Sequence, residues 1–114
     1  MSSIVRKISK FTKSEIDRLF HDARRVIRNQ FCIILIAPRQ KEFGRVLIIA
    51  SRKVGNAPER NLVRRRIKSI FYEEKLFELG FDCVVIVYKK AVSLPFEQLK
   101  GFLLTAYQKD GAGL

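Results

Sequence analysis

Seven cations crowd residues 51–71: Arg52, Lys53, Arg60, Arg64, Arg65, Arg66 and Lys68, against the single acid Glu59. Wound as a helix at about 100° per residue, Arg60, Asn61, Arg64, Arg65 and Lys68 fall within an arc of roughly 140°. Val63, Ile67, Ile70 and Phe71 lie beside that arc, so a side fit for burial adjoins a basic one. Leu62 and Arg66 fall on the back. A row of like charges costs self-repulsion unless a polyanion neutralises it, so the chemistry these residues suit is phosphate binding. The plainer alternative is a solvated basic face.

Residues suited to bond-making chemistry are scarce. His21 is the one histidine, and no Cys or His stands at metal-ligand spacing from it. Glu73 and Glu74 are adjacent, so on a helix they project about 100° apart and make a poor carboxylate pair. Neither a nucleophile elbow nor a Gly-rich phosphate loop ending in Lys is present. A protein nuclease needs clustered carboxylates around Mg²⁺ or paired histidines for acid–base work. The residues assign no catalytic group and no metal ligand, and they point to a binding protein.

The elements that must carry the cations follow from local signals. Gly55 and Asn56 form a turn after an apolar run, and Asn56 with Glu59 has capping-box spacing. Pro58 falls in the first turn, where a missing N–H costs nothing, so a helix starts at Ala57. Upstream, Ser14 with Asp17 marks an earlier helix whose apolar residues are Ile16, Leu19, Phe20 and Ala23. Ile16 and Phe20 read as core on spacing alone. Residues 24–29 leave two readings open, a continuation of this helix or a short edge strand at Val26 and Ile27. Residues 31–37 are apolar on both alternating faces and read as a central strand. A polar loop over residues 38–42 then leads to a strand over 43–50, whose closeness in sequence favours antiparallel pairing. Gly80 stops the basic helix, residues 81–88 form the last strand, and Ser93 caps a final helix striped by Phe96, Leu99, Leu103 and Ala106. The order is αβββαβα, a small sheet covered by helices, an α+β fold.

At 114 residues the chain reads as one domain, 1–114, with a mobile basic arm over 1–13 and a frayed tail over 109–114. Its net charge of +12 calls for nucleic acid or an anionic surface. The apolar runs are too short to span a bilayer, and a secretory signal is not apparent. Cys32 and Cys83 sit inside apolar strands as small hydrophobes, which suggests the cytoplasm and no disulfide framework, with a bridge between them as the lesser alternative.

The run Ser51-Arg-Lys-Val-Gly-Asn-Ala, then Arg60-Asn61, Arg64-Arg65 and Lys68, resembles the signature of the bacterial ribonuclease P protein subunit. The resemblance extends through residues 11–20, 31–36 and 81–90, and so over most of the chain. One departure is Leu62, where the family's Arg-Asn-Arg core has its second Arg. The resemblance implies a sheet like that of the second domain of ribosomal protein S5, with a left-handed β-α-β crossover. It implies a partner, a large catalytic RNA, with which the protein removes the 5′ leader of precursor tRNA in the presence of Mg²⁺ bound mainly by the RNA. It further implies that Arg52, Lys53, Asn56, Arg60, Asn61, Arg64, Arg65 and Lys68 meet the catalytic RNA. A cleft holding Ile16, Phe20, Cys32 and Ile34 would take the single-stranded leader. Ile16 and Ile34 stand where the family often has aromatics, which puts stacking there in question. Charge and fold alone suit a ribosomal or other structural RNA-binding protein equally well.

Overall fold

Two capping boxes set the helices that matter. Asn56 Oδ1 accepts from Glu59 N and Glu59 Oε1 accepts from Asn56 N, both at 2.9 Å, and helix α3 runs Ala57–Glu73 with Pro58 in its first turn. Gly55 stands just ahead, and a Cβ there would lie 2.5 Å from the Glu59 carboxylate oxygen and press on the cap. The computed structural model describes residues 4–111, and a second box opens α2, Lys13–Asp22. Its N-cap is Thr12 with Glu15, not the expected Ser14, whose pairing with Asp17 is not used. The strands are β1 Arg24–Arg28, β2 Cys32–Pro38, β3 Val46–Ile49 and β4 Phe81–Val87. A short helix α1 spans Ile4–Lys7, and α4 spans Phe96–Gly111.

The sheet order is β1-β2-β4-β3. β1 and β4 flank β2 antiparallel, while β3 pairs with β4 in parallel. This corrects the expected antiparallel hairpin between residues 31–37 and 43–50. β4 is apolar on both faces and takes the place between them, and α3 makes the crossover from β3 to β4. The loop from Pro38 therefore crosses the start of β4 instead of turning back: Arg39 N donates to Gly80 O at 3.2 Å and Gly44 N to Phe77 O at 2.7 Å. A Cβ on Gly44 would run into the Phe81 carbonyl, so only glycine allows that crossing.

One face of the sheet is thickly covered. Ile34, Ile36, Cys83 and Val85 pack there with Val63, Ile67, Ile70 and Phe71 of α3 and Leu99 and Leu103 of α4. On the other face α2 packs, with Leu19 wholly buried against Ala37 and Val84 and Phe11 of the preceding segment beside it. The mixed α+β sheet with helical cover is the expected class. Four boundaries differ. α3 ends at Glu73, before Gly80, where Lys75 takes a left-handed φ of 54° and Leu76 turns back into the core. Ser93 does not cap α4; its hydroxyl donates to Lys90 O in a 3-10 turn, and Pro95 O accepts from Gln98 and Leu99 instead. The expected arm over 1–13 is docked from Ile4 on: Ile8 is fully buried, and its carbonyl accepts from Val46 N at 2.7 Å. In the expected tail over 109–114, helix continues to Gly111. Residues 1–3 and 112–114 lie outside the described residues.

Candidate nucleic-acid interface

The apolar row of α3 fixes the orientation of its cations. Because Val63, Ile67, Ile70 and Phe71 are buried against the sheet, the neighbouring row must point past the β3 edge. There Asn61, Arg64, Arg65 and Lys68 form one wall of an open groove of about 740 Å³. Ser9, Leu47 and Ile48 form the opposite side, with Pro58 at one end. Arg64 is braced: its guanidinium donates to Ala50 O at 3.3 Å and to Asn61 Oδ1 at 3.5 Å. Arg65 is exposed and without such a brace. None of Arg52, Lys53, Arg60, Arg64, Arg65 and Lys68 forms an ion pair among the described residues, so their charge is uncompensated there.

The remaining candidates sit around this groove. Arg60 is half-buried, with its Nε shielded and lacking a hydrogen-bond partner. Arg52 and Lys53 are exposed on a 3-10 turn, Arg52–Val54, that precedes the Gly55-Asn56 turn. The Asn56 side-chain oxygen is taken up by the cap, so its first task is to aim the helix. Arg66 donates to Leu94 O at 3.3 Å, tying α3 to the segment before α4; it does not join the groove and does not replace the cation missing at Leu62.

The apolar cleft lies on the α2 side of the sheet, and its floor is not the expected one. Cys32 and Ile34 are fully buried on the opposite face, in the core shared with α3 and α4, so they do not line a cleft under α2. Strand alternation gives that floor to their neighbours. Leu35, Leu47, Ile49 and Ile86 are half-buried and pack with Leu19 and Phe11. A one-residue shift in assigned parity exchanges the faces of the whole strand. Residues 32–37 are apolar throughout, so no polar residue marked which face was which. Ile16 is half-buried on α2, and Phe20 leans out with 42% of its surface exposed.

At the end of this floor a second groove, of about 310 Å³, lies between Ile49 and Ile86 on one side and Tyr88, Lys53 and Lys89 on the other. Tyr88 is 39% exposed. An aromatic beside Lys89 and Lys90 was the signal in the sequence that could have pointed here.

Beneath the N-terminal end of α2 is a buried clasp that sequence reasoning missed. Arg45, 1% exposed, donates from Nη1 to Lys10 O at 2.7 Å and to Glu15 Oε1 at 2.9 Å. Its guanidinium lies 4.1 Å from the Phe11 ring centre, and its backbone N–H donates to Asp82 Oδ1 at 2.8 Å. The Thr12 backbone N–H, then the Arg45 guanidinium, hold the Glu15 carboxyl down at about 2, with Lys41 adding at 3.3 Å. Burial pushes the fully buried Asp82 the other way, above its ordinary value. Both cysteines are free, which sets aside the disulfide alternative, and both are buried; desolvation raises the Cys32 thiol to about 11 and pushes Cys83 up as well.

Among the described residues no group of three or more His, Cys, Asp or Glu side chains is placed to hold a metal ion. Nor, among them, is any helix long and apolar enough to cross a membrane.

A family model described as Ribonuclease P matches residues 7–110. A relative from Halalkalibacterium halodurans named ribonuclease P protein component is 37% identical over 90 residues, covering 78% of this chain and 76% of that protein. One of the same name from Petrotoga mobilis is 33% identical over 102 residues, covering 85% and 86%. The solved RNase P protein of Staphylococcus aureus superposes with a TM-score of 0.75 at 22% identity, over 90% of this chain and 94% of that one. That of Thermotoga maritima gives 0.72 at 24% identity, over 89% and 96%. At such identities the structural likeness speaks for the fold alone.

Proposed function

This chain belongs to the ribonuclease P protein family, and from that premise we propose how its two surfaces serve the enzyme. It is the protein component of ribonuclease P, an endoribonuclease of tRNA maturation whose chemistry resides chiefly in the RNA subunit. Membership replaces the alternative of a ribosomal or other structural RNA-binding protein.

The α3 groove takes phosphates of the catalytic RNA. The observation that carries this is the convergence of Arg64, Arg65 and Lys68 on one groove with no carboxylate partner among the described residues. Arg52 and Lys53 on the preceding turn extend the same charge, and Arg60 adds to it from the next row. The α2-side cleft takes the single-stranded 5′ leader of precursor tRNA. Ile16 and Phe20 form its upper wall, and the floor is Leu35, Leu47, Ile49 and Ile86, in place of Cys32 and Ile34. Contact there, through the exposed Phe20 ring and the aliphatic floor, follows no base code, which suits leaders of varied sequence and so broadens substrate use. Tyr88, with Lys53 and Lys89 beside it, supplies the aromatic surface that Ile16 and Ile34 lack.

We assign the Mg²⁺ of the reaction to the RNA subunit, where the chemistry of ribonuclease P chiefly resides. The work of these residues is to lower the repulsion between two RNA strands near the cleavage site. The expected compartment is the cytoplasm. The test is reconstitution with a bacterial ribonuclease P RNA and a precursor tRNA at low Mg²⁺. Cleavage should be stimulated by the protein and less so by Arg65→Ala; no stimulation by the unaltered protein would overturn the reading.

A further inference from the structure

A third groove, of about 310 Å³, lies on the other side of the N-terminal segment and is lined by Lys7, Lys10, Lys41, Phe43 and Arg45. Four of its five lining residues are cations. One carboxylate, Glu15, answers them, and it is already engaged by Arg45 and Lys41. Lys7 and Lys10 have no ion-pair partner among the described residues. Arg45 is almost wholly buried, yet its Nε is shielded without a hydrogen-bond partner. A buried guanidinium N–H left unmatched is costly unless an acceptor reaches it. Asp82 does not fill that need, for it meets the backbone N–H of Arg45 and not the guanidinium.

We propose that this groove is a phosphate-binding site, in which Lys7, Lys10 and Lys41 surround the anion and Arg45 backs it. Residues 7–10 form the divide between it and the α3 groove: Ser9 lines that groove while Lys7 and Lys10 line this one. A phosphate here would continue the positive path of α3 across the N-terminal segment toward the loop before β3. It would also pin that segment, whose backbone is already held by Val46 N on Ile8 O and by Arg45 on Lys10 O. The anion chemistry stands on these residues alone. That the phosphate belongs to an RNA strand, and not to a free anion, rests on the function proposed above.

The experiment uses the full chain in an Arg65→Ala background, so that the α3 groove does not mask the result. Inorganic phosphate is titrated calorimetrically into that variant and into the same variant carrying Lys7→Gln and Lys10→Gln. Both lysines are exposed, and circular dichroism checks that the fold is kept. The added substitutions should weaken phosphate binding at least about tenfold, the scale of losing one hydrogen bond to a charged group. Unchanged phosphate affinity would overturn the site.

A second arm measures affinity for the catalytic RNA against salt, with the two lysine substitutions alone in the otherwise unaltered protein. A slope smaller by about 0.7–0.9 per lost contact identifies an RNA phosphate as the ligand. Weakened inorganic phosphate binding with an unchanged slope keeps the site and assigns it to the free anion. Arg65→Ala alone reports on the α3 groove: if it leaves the slope as it was, the function proposed above fails while this site stands.

Discussion

At the scale of single residues, neighbours along α2 divide structural work from binding work. Leu19 is fully buried, so Leu19→Ala should unfold part of the molecule, at a cost of about 2–5 kcal/mol. Phe20 is its neighbour and is largely free to meet a base. Phe20→Ala should weaken binding of leader-bearing precursor tRNA by about 1–3 kcal/mol, with mature tRNA unaffected. Tyr88→Ala should do the same only for leaders long enough to reach the far groove, and Tyr88→Phe should restore binding. Comparing affinities for precursor tRNAs of graded leader length checks both.

Glu15 gives a separate, pH-dependent signature. Its carboxyl is lowered from 4.5 to about 2 by the Thr12 N–H, Arg45 and Lys41, so folding favours its charged form. That contribution is present above about 4.5 and is lost as pH falls from there toward about 2. Asp82 works in the opposite sense, since burial raises its value and favours the neutral form. Glu15→Gln should lower stability at neutral pH and flatten its decline below 4.5, as read from urea midpoints across that window. An unchanged acid decline would show that the clasp does not depend on this charge.

At the scale of elements, the direction of the basic stripe depends on where α3 begins. The Asn56–Glu59 box fixes the first turn, and the apolar row then leaves the cations only one way to face. Asn56→Ala should cost about 1 kcal/mol of stability, and Asn56→Asp should recover most of it. Thermal unfolding of the three proteins measures this. An RNA-binding defect in Asn56→Ala with unaltered stability would instead make Asn56 a direct contact. The capping box of α3, its apolar row and its cations were all legible because each is a local pattern within one element. The expected hairpin of β2 and β3 was not, because pairing is decided by which strand best fills the centre of the sheet. β4, apolar on both faces, is that strand.

At the scale of the whole molecule, a net charge of +12 on 114 residues makes salt act in two opposite directions. Shortening the Debye length from about 30 Å at 0.01 M to about 8 Å at 0.15 M relieves self-repulsion and should raise the melting temperature. The same change should weaken binding to RNA by favouring released counterions less. Parallel melting and binding series in one salt titration test this; a melting temperature that falls with added salt would show that ion pairs such as Lys41–Glu15 outweigh the repulsion.

The sequence by itself determined the family and the helix that bears the cations, because these depend on residue types at short spacing. Only the tertiary structure decided which side of β2 faces α2, and so moved the cleft floor from Cys32 and Ile34 to Leu35, Leu47, Ile49 and Ile86. It alone also brought Lys7 and Lys10 beside Lys41 and Arg45, some 30 residues apart along the chain. The reason is physical: a strand of apolar residues is equally willing to bury either face, and contacts distant in sequence are set by packing, which no local pattern encodes.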